Sequence, residues 1–350
     1  MMMVMMYAVY VGLGLVTAYA GYTLVRFVRA DADLTTLSLT TPERLSSLAG
    51  QRVWVTGASY GIGASLASVL ASHGAHVVLS ARSEDKLAEV ASGITGAGGV
   101  AHVLPLDLLD RASHSGKAEA AVALLGGGID MLVNNGGRSQ RALVEETPVE
   151  VDEALLELNV VGTISLTKAV LPHMVAGGGG VMAVTSSVAG KMPVPVSASY
   201  AMSKAAIGSF FHSMGTELAD KGIHTCVVCP GPVVSEGAAN AFTATPGVSV
   251  GVEAAEPMKK HKMSTLRCAQ LYAGALAGRV REAWISEHPV LLYTYAAQYA
   301  PSILRALGGK MAAKRVAAFR KGDMGYGSVG VRSFLSSLFR APTASAQKED

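Results

Sequence analysis

Along the chain, short apolar runs rich in β-branched residues alternate with longer stretches whose apolar positions recur at helical spacing. The runs fall at 52–56, 76–81, 101–106, 129–134, 181–186 and 223–229, with a later one at 282–286. Helix-like stretches lie near 61–73, 83–92, 113–125, 150–175 and 198–220. Strands that are apolar throughout belong to a sheet covered on both faces, and helical crossovers make neighbouring strands parallel. The pattern predicts an α/β fold: one Rossmann-type doubly wound parallel sheet over 51–300, with no internal repeat and no second core. Gly-rich tracts at 93–99 and 177–180 predict surface loops between elements.

Both flanks break this rhythm. Residues 1–25, MMMVMMYAVYVGLGLVTAYAGYTLV, carry no charged side chain, and about 20 apolar residues suffice to cross a bilayer. They predict a single-pass membrane anchor. A cleaved signal peptide competes, since Ala18-Tyr19-Ala20 resembles a cleavage site, but no positive charge precedes the apolar run. Arg26 and Arg29 follow at once and favour a cytosolic face for the domain, a vote of only two charges that leaves a lumenal domain open. The stretch 26–50 is polar, with a turn signal at Thr41-Pro42, and predicts a linker or a leading helix. The basic tail 301–350 holds nine Lys/Arg against three Asp/Glu. Two readings weigh equally there: a segment lying on an anionic membrane, or a solvated helix with one packed apolar face.

Half of the 350 residues are hydrophobic, 16% are charged, and the formal net charge is +3. So small a charge, without a dense Lys/Arg block before residue 300, argues against nucleic acid as a partner. Three cysteines cannot build a disulfide framework. Cys226 and Cys229, three apart on a strand, point to opposite sheet faces, so no metal site is expected.

Candidate chemistry begins at Thr56-Gly57-Ala58-Ser59-Tyr60-Gly61-Ile62-Gly63, a glycine-rich turn between a strand and a helix. Such a turn lets backbone approach phosphate and aims helix-terminal amides at the anion. At the next strand end an acid would accept the ribose hydroxyl of NAD. Here the strand runs into Arg82, which suits a 2′-phosphate and favours NADP(H). Tyr200 and Lys204 stand one helical turn apart, where the cation favours the phenolate and draws the tyrosine pKa down from ~10 toward the range of acid–base work. Ser187 closes a strand upstream, and Asn159 lies in a helical stretch where a buried amide needs partners.

Taken together, TGASYGIG at 56–63, NNGG at 134–137, Asn159, Ser187, Tyr200/Lys204 and PGPV at 230–233 resemble the short-chain dehydrogenase/reductases in order and spacing. The blocks RADADL (29–34), VLPLDL (103–108), LPHM (171–174), HKM (261–263) and AWISEHP (283–289) resemble a membrane-anchored branch of that family. The resemblance implies roles for individual residues. Tyr200 donates the proton, and Lys204 holds the nicotinamide ribose. Ser187 orients the carbonyl, and Asn159 anchors a water. Asp107 meets the adenine, and Asn134 supports the sheet beneath the cofactor. Pro230, Gly231 and Val233 line the cofactor, and the loop 233–262 covers the substrate.

The resemblance also implies a homodimer in the endoplasmic reticulum membrane. Its implied reaction interconverts carbonyls and alcohols on lipophilic substrates such as retinoids, steroids or xenobiotic ketones. Alternatives are a reductase of long-chain lipid ketones and an idle NADP-binding scaffold. Two positions depart from the family's habit: Gly137 replaces a common alanine, and Tyr60 stands where many NADP-dependent members carry a basic residue.

Overall fold

The computed structural model describes residues 2–251 and 262–322. Seven parallel strands form one sheet: β1 (Arg52–Thr56), β2 (His76–Ser80), β3 (Val100–Val103), β4 (Met131–Asn134), β5 (Gly180–Thr185), β6 (Ile223–Pro230) and β7 (Glu282–Ile285). Their spatial order is 3-2-1-4-5-6-7. The order reverses between β1 and β4, which opens a crevice at the carboxyl ends of those two strands.

Helices cover both faces, so each strand buries alternate side chains in two cores. Val53 and Val55 lie in one core and Trp54 in the other. Cys226 and Cys229 divide in the same way, as their spacing predicts. The first face is covered by α4 (Gly61–Ser72), α5 (Glu84–Gly96) and α10 (Thr265–Ala277). The second is covered by α6 (His114–Leu124), α8 (Thr163–Ala176) and α9 (Ala198–Glu217). The expected helix 150–175 is α7 (Val149–Leu156) and α8 joined by a π-helical turn, Glu157–Gly162. Of the expected loop 93–99, residues through Gly96 continue α5, whose Ile94 is buried.

The amino-terminal flank is built into the domain. The apolar helix α1 (Met2–Val28) is long and apolar enough over Met5–Val28 to cross a membrane, and that window is wholly unburied. Residues 26–50, expected as a linker or leading helix, are folded onto the domain through α2 (Leu34–Leu39) and α3 (Pro42–Leu45). Buried Asp33 caps α2 by accepting from the Thr36 amide at 2.9 Å, and it also accepts from the Trp284 amide of β7 at 2.8 Å. Arg267 of α10 donates to both oxygens of Asp31, at 2.6 and 3.0 Å. A polar stretch therefore carries the inward anchors, which hydropathy alone hides.

After β7 come α11 (Val290–Tyr299) and α12 (Pro301–Arg320). Phe27, at the base of α1, meets the rings of His288 and Tyr295 edge-on at 4.9 and 5.2 Å. Its carbonyl bonds His288 Nε2 at 2.8 Å. The first twenty residues of the expected tail form α12, which packs against α11, the helix whose Tyr295 meets Phe27. The rest of that tail, 323–350, and part of the expected substrate loop, 252–261, lie outside the described residues.

Candidate active site

The carboxyl ends of β1, β4 and β5 are fastened by short polar side chains. Thr56 Oγ1 accepts from the amides of Asn135 and Gly136 at 3.0 and 3.1 Å. Asn135 Nδ2 donates to the carbonyls of Thr56 and Gly57, and its Oδ1 accepts from Thr185 Oγ1 at 3.1 Å. Asn134 points the other way, as strand alternation requires, and donates to Thr167 Oγ1 at 3.2 Å. Asn135 therefore faces the crevice, while Asn134 braces the sheet against α8.

The glycine loop follows from two local constraints. Gly57 sits at φ +64°, in the left-handed region, and a Cβ on Gly63 would run into the Gly57 carbonyl oxygen. The start of α4 therefore tucks tightly under the turn, with its free amides at the crevice.

One cavity of about 810 Å³ spans the crevice. Thr56, Gly57, Ser59, Tyr60, Ile62, Arg82 and Asp107 line one end. Ser187, Tyr200, Lys204, Pro230, Gly231 and Val233 line it further along. Gly61, Gly63, Asn134 and Asn159 stand behind its wall. Asp107 accepts from the Leu109 amide at 3.0 Å, which shapes the turn after β3.

Lys204 is buried one turn after Tyr200, with its Nζ 5.9 Å from the Tyr200 ring centre and 2.8 Å from the Thr185 carbonyl it donates to. Burial pulls its pKa down to about 8. Ser187 Oγ accepts from the Ala189 amide at 3.1 Å and donates to the Pro230 carbonyl at 3.3 Å. Asn159, in the π-helical turn, is fully engaged: its Oδ1 accepts from the Arg138 amide at 2.9 Å. Its Nδ2 donates to the Arg138 carbonyl at 2.9 Å and to Ser203 Oγ at 3.0 Å. A Cβ on Gly137 would come within 2.9 Å of Asn159 Oδ1 and 3.4 Å of Lys204 Nζ, so glycine there leaves both groups undisturbed.

Several cavity residues escaped the sequence reading. Arg138 packs its guanidinium 4.0 Å over the Phe242 ring, and burial followed by the neighbouring charge of Arg82 lowers its pKa. Lys86 Nζ lies 5.7 Å over the Tyr60 ring. Arg141, Lys262 and, from α12, Leu304, Arg305, Gly308, Gly309, Met311, Ala312 and Arg315 also line the cavity. The α12 positions fall at i, i+1, i+4, i+5, i+7, i+8 and i+11, one broad helical face that Arg305 and Gly308-Gly309 disguise in the sequence.

A glycine cradle at the switch point of a parallel sheet defines a dinucleotide-binding protein of the Rossmann class. Residues 51–245 match the family described as short chain dehydrogenase, more than half of the chain. The chain belongs to the short-chain dehydrogenase/reductase family of oxidoreductases. It is 42% identical over 306 residues to "Dehydrogenase/reductase SDR family member 7" of Mus musculus, covering 85% of this chain and 89% of that one. The Homo sapiens protein of that name matches with the same identity and coverage. Among solved structures, a 7α-hydroxysteroid dehydrogenase complexed with NADH and 7-oxo glycochenodeoxycholic acid superposes with a TM-score of 0.61 at 26% identity, over 71% of this chain and 97% of that one.

Proposed function

We propose that this protein is a membrane-anchored, NADP(H)-dependent oxidoreductase that interconverts carbonyls and alcohols on apolar substrates. The observation that carries this reading is the convergence of Ser187, Tyr200 and Lys204 on the cavity whose other end holds the glycine loop and Arg82.

The nucleotide end fits a dinucleotide. Amides of α4 would hold a pyrophosphate, and Asp107 would meet the adenine. Arg82 and Arg138 bring two like charges together, an arrangement that a 2′-phosphate relieves. When bound, the nicotinamide supplies or accepts the hydride. The chain's own groups do the rest. Ser187 Oγ donates to the carbonyl oxygen and orients it. Tyr200 Oη hands that oxygen its proton in reduction and takes it back in oxidation. The Lys204 ammonium stabilises the phenolate left behind and holds the ribose. Asn159 is a positioning residue: through Ser203, whose hydroxyl donates to the Tyr200 carbonyl at 2.8 Å, it fixes the first turn of α9.

The membrane reading rests on α1, and the endoplasmic reticulum with a cytosolic domain is the placement we favour. Apolar substrates fit both the bilayer and the apolar wall formed by Met192, Val194, Val290 and Leu304. The test is oxidation of NADPH and of NADH with retinal, ketosteroids, aromatic diketones and a long-chain ketone. Turnover by wild type with NADPH and a loss of about a thousandfold or more in Tyr200→Phe support the mechanism. Equal rates in the two proteins would sink it.

A further inference from the structure

Among the described residues, seven glycines line the cavity, and five of them have a steric reason to be glycine. A Cβ at Gly57, Gly136, Gly137, Gly231 or Gly237 would come within 3.1 Å of a neighbouring atom. The other two, Gly308 and Gly309, stand side by side inside α12. There a Cβ would meet no described atom within 4 Å, and neither residue has the left-handed backbone that favours glycine. Glycine is among the poorest residues for a helix interior, because it loses more backbone entropy than alanine on folding and packs nothing. The fold therefore carries two unfavourable helix positions with no compensating contact.

What the pair leaves is room, and the helix fixes its direction. At 3.6 residues per turn, Leu304, Gly308, Met311 and Ala312 fall within an arc of about 100°, with Gly308 inside it. All four line the cavity, so Gly308 is a gap in the α12 wall, between apolar side chains one turn before it and one turn after. Gly309 lies ~100° further round the helix, at the edge of that face, and is exposed. Apolar side chains continue the lining: Met192 and Val194 follow Ser187 in the chain, and Val290 opens α11.

We propose that Gly308 is a specificity-determining residue, whose gap in the α12 wall receives the body of a bulky apolar carbonyl substrate. This rests on the oxidoreductase reading above and narrows its substrate class to rigid, fused-ring carbonyl compounds. A flexible chain bends around an obstacle, whereas a ring system does not, so a side chain at 308 shuts out the second far more than the first. Single-ring carbonyl compounds, which end short of α12, are indifferent to residue 308.

Two substrates read the gap: a four-ring 3-ketosteroid, and 4-nitrobenzaldehyde, which has one ring. Gly308→Leu is expected to lower kcat/KM for the ketosteroid at least tenfold, through KM, the scale on which an apolar pocket discriminates by size. In the same variant kcat/KM for the aldehyde and the affinity for NADPH stay within about twofold. Gly308→Ala is expected to fall between wild type and Gly308→Leu on the ketosteroid and to raise the thermal midpoint, because alanine is the better helix former. Equal losses on both substrates would overturn the proposal, since they assign Gly308 to the fold or to the catalytic groups. So would an unchanged ketosteroid KM in Gly308→Leu, or a wild type that turns over the aldehyde and not the ketosteroid. If neither compound is turned over, the oxidoreductase reading fails. Calorimetric titration of the ketosteroid into the NADP⁺-loaded protein then decides the gap alone: binding to wild type that is lost in Gly308→Leu upholds it, and equal binding, or none to wild type, overturns it.

Discussion

The side-chain amide of Asn240 donates a 3.0 Å hydrogen bond to the hydroxyl of Tyr60, joining the glycine loop to the segment after β6 across the nucleotide end of the cavity. Arg138 reaches the same residue from the opposite wall, its Nε donating to the Asn240 carbonyl at 2.6 Å. Tyr60 therefore serves as a strap where a basic residue would serve as a phosphate contact. Asn240→Ala removes one exposed neutral hydrogen bond, worth about 1 kcal/mol, and should speed NADPH release about fivefold in stopped-flow displacement. Tyr60→Phe should match it, and the double variant should add nothing. Unchanged release in both single variants would remove the strap from cofactor traffic.

On the proposed function, nucleotide choice should fall to Arg82, with Arg138 beside it. A charge-assisted contact to phosphate is worth about 1.5–3 kcal/mol, so Arg82→Ser should weaken NADPH at least tenfold while changing NADH by less than twofold. Fluorescence titration with each nucleotide measures this. Equal losses would mean that Arg82 supports the fold and does not read the phosphate.

On the proposed mechanism the Lys204 cation should set a pH limit. Burial lowers its pKa to about 8 from an ordinary 10.5, so the ammonium is present below pH 8 and is lost as pH rises through that value. Carbonyl reduction, followed as kcat/KM, should fall about tenfold per pH unit above pH 8. The effect on stability has the opposite sense. Between pH 8 and 10.5 the unfolded chain holds the extra proton, so this group's cost to the fold shrinks as pH rises. A rate profile flat to pH 10 would refute the assignment.

Glu282 should govern acid stability. Burial raises its pKa, but hydrogen bonds from His212, Lys191 and Trp284 outweigh that and bring it down to about 2. Its distances to those donors are 2.6, 2.7 and 2.6 Å. A lowered carboxylate pKa stabilises the fold above about 4.5, and that contribution disappears as pH falls toward 2. Glu282→Gln should cost about 3 kcal/mol at pH 7 and flatten the urea-unfolding midpoint between pH 4.5 and 2.5. A midpoint that still falls as steeply there would place the acid sensitivity elsewhere.

The sheet and its crossovers were legible because strands buried on both faces must be apolar at every position, whichever helices cover them. Seven runs predicted seven strands, and the glycine loop, Arg82, Ser187, Tyr200 and Lys204 all came to one cavity. What escaped was whatever depends on direction or distance. Asn134 and Asn135 are neighbours in sequence, and only the pleat tells which one faces β1. Arg138, Lys262 and Arg315 become neighbours of the site through loops and a helix whose packing no local pattern encodes. Asp31 and Asp33 made 26–50 look like a solvated connector. They are instead the groups through which that segment holds α10 and β7.

The edge-to-face contacts of Phe27 with His288 and Tyr295 join the base of α1 to the domain. A helix fixed at its base transmits its own tilt to whatever it carries, so with α1 in a bilayer the mouth of the cavity is held at a set height and bearing over the lipid. On the proposed function, capture of a membrane-dissolved apolar substrate would then become a two-dimensional search by an oriented trap, and a longer, looser neck would give up that orientation.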